Sequence, residues 1–196
     1  MKSLSAEELA LYWELEPPVK SVGGKFSVNQ FFGKERTSPE LIPLYAKYGW
    51  LGHSGLDIKA DYVPTYAVFD GTIQNYRDEE NDALARGDFI NIISKEKNIG
   101  GQLVRLMAHW YHLSEVLVKE STWWKTREVT AGQKIAITGN TGLNADGSRQ
   151  SSGPHLHFGI YPEYWDGMIW RRDTDYCKKC AGTKWMFYKE KDAGGN

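Results

Sequence analysis

The sequence predicts an all-β fold: an antiparallel sheet sandwich or open barrel, with a short N-terminal helix and a C-terminal extension. Two observations carry that expectation. Short strand-like runs recur from Phe26 to Ile160. Gly, Asp and Asn punctuate them as turn residues, the texture of a sheet protein. The elements follow in order. Ser5 with Glu8 three residues later is a capping-box pattern, so a short helix is expected there, and Pro17-Pro18 ends it. Gly23-Gly24 marks a loop. Tyr66-Ala-Val-Phe and Thr72-Ile-Gln-Asn-Tyr flank Asp70-Gly71, a strong turn signal. Phe89–Ser94, Leu103–Leu113, Lys134–Thr138 and His155–Ile160 also read as strands. Asn81–Arg86 fits a helical turn or a disordered loop. Beyond Pro162 the chain is rich in Trp, Tyr and Lys. The expected organisation is an arm (1–25), a main domain (26–162) and an extension (163–196) packed on it.

Composition bounds the function. At 196 residues the chain suits one domain with a core that needs no disulfides. Lys+Arg number 24 and Asp+Glu 25, so the net charge is 24 − 25 = −1. That balance leaves no electrostatic footprint for nucleic acid or an anionic membrane. No apolar run reaches the ~18–20 residues of a membrane helix. The start, Met1-Lys-Ser-Leu-Ser-Ala-Glu-Glu, lacks an apolar stretch and a cleavage pattern, so it is not expected to be a secretory leader. Aromatics are plentiful, with 8 Trp and 11 Tyr, more than a core of this size needs. Flat amphipathic rings of this kind serve to line a groove for an extended polar ligand. Cys177 and Cys180 form one CxxC with no nearby ligands to complete a zinc knuckle, and receive no function.

The chemistry lies in the histidines. All 5 fall in three clusters: His53, then His109 and His112, then His155 and His157. In Gly153-Pro-His-Leu-His-Phe, a strand puts His155 and His157 on one face, about 6–7 Å apart at Cα. Such a pair is either two hydrogen-bonded histidines of a half-buried strand or a pair serving one ion. In Gly52-His-Ser-Gly-Leu-Asp, Gly55 disfavours helix, so His53 and Asp57 sit on a loop feeding a strand and converge. Imidazole and carboxylate are both good zinc ligands. His53, Asp57 and one histidine of the pair make three ligands, leaving a fourth position open as catalytic zinc requires. His109 and His112 are three apart, so on a regular strand they face opposite sides and at most one reaches the metal.

These motifs resemble the lysostaphin-type zinc metallopeptidases, the family that also contains LytM. The family's HxxxD, its YxHLS-like segment and its GNTG…GPHLHF close appear in order. Here they are His53-Ser-Gly-Leu-Asp, Trp110-Tyr-His-Leu-Ser and Gly139-Asn-Thr-Gly with Gly153-Pro-His-Leu-His-Phe. Asp70-Gly-Thr-Ile and Ala131-Gly-Gln-Lys-Ile-Ala are similar to the family's strand-turn elements, so the likeness covers about residues 45–161. The resemblance implies an antiparallel β core with a groove holding zinc, and endopeptidase action on bacterial wall peptides. It implies His53, Asp57 and His157 as zinc ligands, His155 as general base, and His112 as the second catalytic histidine, bonding the oxyanion. His109 receives no role from it.

Tyr48, Trp50 and Tyr111, with Tyr45 nearby, flank the motifs and are expected to touch a wall peptide. Asn75 and Thr141 occupy family-like positions close by. The segments Lys119–Glu128 and Leu143–Ser152 are longer than the family's turns, so the bond cleaved does not transfer with the chemistry. Peptidoglycan peptides are the expected partner, at the bacterial wall, for a monomer without nucleic acid. The rival reading is a non-catalytic peptidoglycan-binding or activator module of the same fold. A zinc peptidase acting on protein is a third. An N-terminal arm that covers the groove, with Asn29 as its zinc contact, would make a latent form.

Overall fold

In the computed structural model, the described residues are 4, 6–20, 27–32, 39–43, 52–78, 86–118, 127–143, 147–149 and 153–172. Tyr45, Tyr48, Trp50, Cys177, Cys180 and most of the two long segments lie outside them, as does most of Asn81–Arg86. The elements run α1 (Ala6–Ala10), β1 (Val28–Gln30), a 3-10 turn (Pro39–Leu41), β2 (Leu56–Ile58) and β3 (Pro64–Tyr66). They continue as β4 (Gly71–Arg77), β5 (Asp88–Ser94), β6 (Lys97–Ile99) and β7 (Gln102–Val116). The last are β8 (Glu128–Val129), β9 (Lys134–Thr138), β10 (Leu156–Trp165) and β11 (Trp170–Arg172). The expected helix is there, five residues long, and the described fold is otherwise sheet.

All strand pairings are antiparallel, in the order β1-β2-β10-β7-β5-β4-β8. β7 is the spine. Its start pairs with β6, its middle from Met107 to Tyr111 lies between β10 and β5, and its last residues pair with β9, which in turn carries β3. The open sheet therefore curls over its own apolar face. Alternation decides which face that is. Leu106, Ala108 and Trp110 of β7, Leu156, Phe158 and Ile160 of β10, and Ile90 and Ile92 of β5 all point inward and are buried. Leu9, Trp13 and Val19 of the N-terminal segment pack into the same core. The residues between them on each strand form the opposite, groove-side face: Asp57, His157, Gly159, Tyr161, Tyr111, His109, Phe89 and Asn91. β10 runs on through Pro162 to Trp165, where β11 pairs with it. No helix among the described residues is long and apolar enough to cross a membrane.

The turn at Asp70–Gly71 separates strands that diverge. β3 stops at Tyr66 and pairs with β9, whereas β4 pairs with β5 and β8. Ala67, Val68 and Phe69 leave the strand and are buried in the core. Their backbone is satisfied elsewhere, Ala67 exchanging hydrogen bonds with Gln133 (2.9 Å) and Gly132 (2.8 Å). Asp70 Oδ1 accepts from Ala131 N at 2.8 Å, which fastens one turn to the other. A turn residue sets a reversal of the chain, but not which strand the chain then joins.

Candidate active site and metal centre

The site forms where β2, β10 and β7 lie side by side. His157 stands opposite Asp57 on one side and Tyr111 on the other. His53 arrives from the turn before β2. Its Nε2 lies 3.0 Å from His157 Nδ1 and 3.2 Å from Asp57 Oδ1, and His157 Nδ1 lies 3.0 Å from the same carboxylate oxygen. The three ligand atoms are within 4.8 Å of one another, a group able to hold a metal ion.

The proton count supports a cation. A carbonyl only accepts, so the 3.2 Å contact from His53 Nδ1 to Phe31 O puts the proton on Nδ1 and leaves Nε2 a lone pair. Asp57 contributes only lone pairs once ionised. Its burial raises the carboxyl pKa, yet the hydrogen bond from His157 and the His53 imidazole beside it outweigh that and hold it well below the usual range. Two acceptors and an imidazole nitrogen thus converge on one point. Four ligands at ~2.0–2.1 Å around a tetrahedral zinc stand about 3.3 Å apart, close to the spacing found. The residues fit the ion.

His155 and His112 flank this group. His155 Nδ1 donates to Gly153 O at 3.0 Å, so its Nε2, 3.6 Å from Asp57 Oδ1, carries a lone pair. His112 Nδ1 donates to Thr141 O at 2.9 Å, with the same consequence for its Nε2. The two ring centroids are 4.8 Å apart. Burial first, then repulsion from His157 and His155, drives the His112 pKa down to about 3, so the ring rests neutral.

Both His109 and His112 reach the metal-site side, which corrects the alternation argument that only one would. The cause is a bulge in β7. His112 has φ 62°, a left-handed conformation uncommon outside glycine, and register slips across it: three steps of β7 (Trp110 to Leu113) face two of β5 (Asp88 to Ile90). His112 is the extra residue. Leu113 takes the core position that alternation assigned to His112, and the imidazole joins Tyr111 and His109 on the groove side. His112 N donates to Arg86 O at 2.9 Å, which pins the bulge.

His109 and Tyr111 pack against His157. The His109 ring stacks on His157 with centroids 5.5 Å apart and planes at 14°, and Tyr111 stacks on it at 5.3 Å and 8°. Gly159 makes room: a Cβ there would stand 2.3 Å from His109 Cε1. Thr141 anchors the other flank. Its Oγ1 donates to Leu113 O at 2.6 Å and accepts from Asp88 N at 2.9 Å. Thr141→Val orphans both backbone groups, so a loss of about 1–3 kcal/mol is expected, read by thermal unfolding against wild type. Asn75 meets the groove face farther out, accepting from Asn91 at 2.7 Å. Asn29 is exposed on the edge strand β1.

Several of these parts escape a sequence reading. Phe31 and Thr141 act through backbone carbonyls, and Arg86 through both its carbonyl and its guanidinium. The glycines at 55 and 159 were the one available signal, since glycine within a strand marks a close approach.

The model of peptidase family M23 matches residues 51–167. No curated protein matches the chain. Among solved structures, the catalytic domain of EnpA, a prophage-encoded M23 protein of Enterococcus faecalis, is similar at 21% identity and a TM-score of 0.45. The likeness covers 74% of this chain and 86% of that one. Helicobacter pylori Csd3 is similar at 24% identity and a TM-score of 0.45, over 75% of this chain and 31% of that one. lytM of Ruminococcus gnavus is similar at 19% identity and a TM-score of 0.43. That likeness covers 82% of this chain and 55% of that one. The family match spans more than half of the chain and includes all five histidines and Asp57, so this chain belongs to peptidase family M23.

Proposed function

We propose that this protein is a zinc-dependent endopeptidase that hydrolyses peptide bonds of bacterial peptidoglycan, in the stem peptide or the cross-bridge. One observation supports it above others: three convergent ligand atoms with two further imidazoles beside them, each held by a hydrogen bond from its Nδ1 to a backbone carbonyl. His53, Asp57 and His157 would hold the zinc, which when bound acidifies a water and polarises a carbonyl.

The chain's own groups handle the proton. His155 Nε2, beside Asp57, takes it as general base and later returns it to the leaving amine. The expected oxyanion contact from His112 requires Nε2–H, whereas its proton rests on Nδ1 against Thr141. In this proposal His112, with its pKa held down to about 3, is a transient carrier that shares the proton with His155 only while the oxyanion stands beside it. Whichever ring carries it has an N–H to offer the oxyanion. Tyr111, on the groove face, backs His157 and borders the path of a wall peptide, which Tyr48 and Trp50 would also contact. The site of action is the bacterial wall.

Release of new amino groups from purified peptidoglycan, with and without a zinc chelator, tests this. Chelator-sensitive release is expected, with fragment masses naming the bond. No release by zinc-loaded protein across several wall chemotypes would overturn the reading in favour of a binding module.

A further inference from the structure

A chain of net charge −1 concentrates cations on its groove face. Among the described residues of that face, the acids are Asp57, Glu163 and, at its far edge on β8 opposite Thr72, the exposed Glu128. Asp57 belongs to the metal group, and Glu163 is gripped by Arg105 through Nε and Nη2, both at 2.7 Å. Against them stand Arg105 itself, Arg77 opposite Phe89, Arg172 opposite Glu163, and Arg86. Two of these arginines bracket the aromatic floor beside the metal group. The Arg86 guanidinium lies over Phe89 at 4.5 Å and over Tyr111 at 5.9 Å. Arg172 lies over the Tyr161 ring at 3.5 Å.

These positions map onto an extended ligand. The Arg86 carbonyl holds the His112 amide, so its side chain starts beside the reacting groups. Tyr161 is four residues along β10 from His157, about 13 Å at ~3.3 Å per residue. An extended peptide covers that distance in about four residues. A guanidinium is a planar fork of five N–H donors, and stacking on an aromatic face fixes its plane, so it can take a carboxylate in addition to the contacts it already makes.

Resting on the endopeptidase reading above, we propose that the groove selects anionic wall peptides. The substrate would carry a free carboxylate within a few residues of the scissile bond, with Arg86 as its main contact and Arg172 as its second. Neutral glycine bridges and amidated stems would be poorer ligands.

The test uses two synthetic stem peptides that differ at one group, the α-carboxylate of a γ-linked D-glutamate or its primary amide. Zinc-loaded full-length His155→Ala protein serves as receptor in calorimetry, so binding is read without turnover. The acid is expected to bind about tenfold tighter, as one charge-assisted contact provides. That ratio should fall toward one when Arg86→Gln is added, fall partly with Arg172→Gln, and be largely restored by Arg86→Lys. Equal affinities, or a ratio that Arg86→Gln leaves unchanged, would overturn the proposal. Wild-type hydrolysis of both peptides at equal kcat/KM would overturn it too, while leaving the endopeptidase reading intact. Acid-selective binding without any wild-type hydrolysis would uphold the carboxylate preference and remove the endopeptidase reading.

Discussion

His155→Ala and His112→Ala proteins are each expected to lose about 10²–10⁴-fold in peptide-bond hydrolysis while keeping their metal, the range for removing a general acid–base group. The division follows from what each nitrogen faces. His155 and His112 both spend Nδ1 on a backbone carbonyl, of Gly153 and Thr141, and neither is needed to complete the three-atom group of His53, Asp57 and His157. Removing either takes away a proton acceptor and leaves the ligands in place. Alanine at His53, Asp57 or His157 removes a ligand instead, and metal content falls together with activity. Because the proposal lets the two imidazoles share one proton, the double variant should be little worse than the poorer single one, as expected of residues that act as a unit. Zinc content by elemental analysis, turnover on peptidoglycan and thermal unfolding on the same preparations separate these cases. Full activity in His155→Ala would remove it from the mechanism. Loss of zinc from the same variant would make it a ligand.

Much of this site is legible in the chain because its chemistry is carried by local spacing. HxH on a strand and HxxxD across a Gly-containing turn need only short-range geometry to converge, and β2 and β10 pair in the register that joins them. β9 likewise matches its strand-like run from Lys134 to Thr138, since an alternating segment bounded by turns leaves few alternatives. What escaped is set by longer-range contacts. Alternation along β7 fails at His112 because a bulge, fixed by Arg86 O and Thr141 O, adds a residue that no strand pattern records. Tyr66–Phe69 reads as strand from its residue types, but the core claims Ala67, Val68 and Phe69 before the pairing can continue. The cationic groove is invisible to net charge, since acids elsewhere on the surface cancel it in the sum.

Gly55→Ala is expected to weaken metal binding about 10–100-fold or more, although Gly55 offers no ligand atom. A Cβ at this position would lie 2.7 Å from His157 Nε2 and 2.6 Å from Phe158 O, both inside van der Waals contact. Phe158 O belongs to the backbone of β10, so that clash is relieved only by moving the strand. The His157 ring is held between Tyr111 and His109 on one side and the His53–Asp57 group on the other, so it cannot swing clear without withdrawing Nδ1. Disturbing what orients a metal-bound histidine costs 10–100-fold in affinity, and here the disturbance acts on the ring directly. Overpacking also destabilises by about 1–3 kcal/mol, so a control must separate the two effects. Ile90→Ala provides it: Ile90 is fully buried on the opposite, core-facing side of the sheet, and its truncation lowers stability by about 2–5 kcal/mol without crowding the site. Zinc titration of both variants at a temperature where each is folded gives the answer. Weakened binding in Gly55→Ala alone assigns the glycine to the metal centre. Equal affinities in the two variants would mean that β2 and β10 absorb the methyl group, and that His157 is held less tightly than its packing indicates.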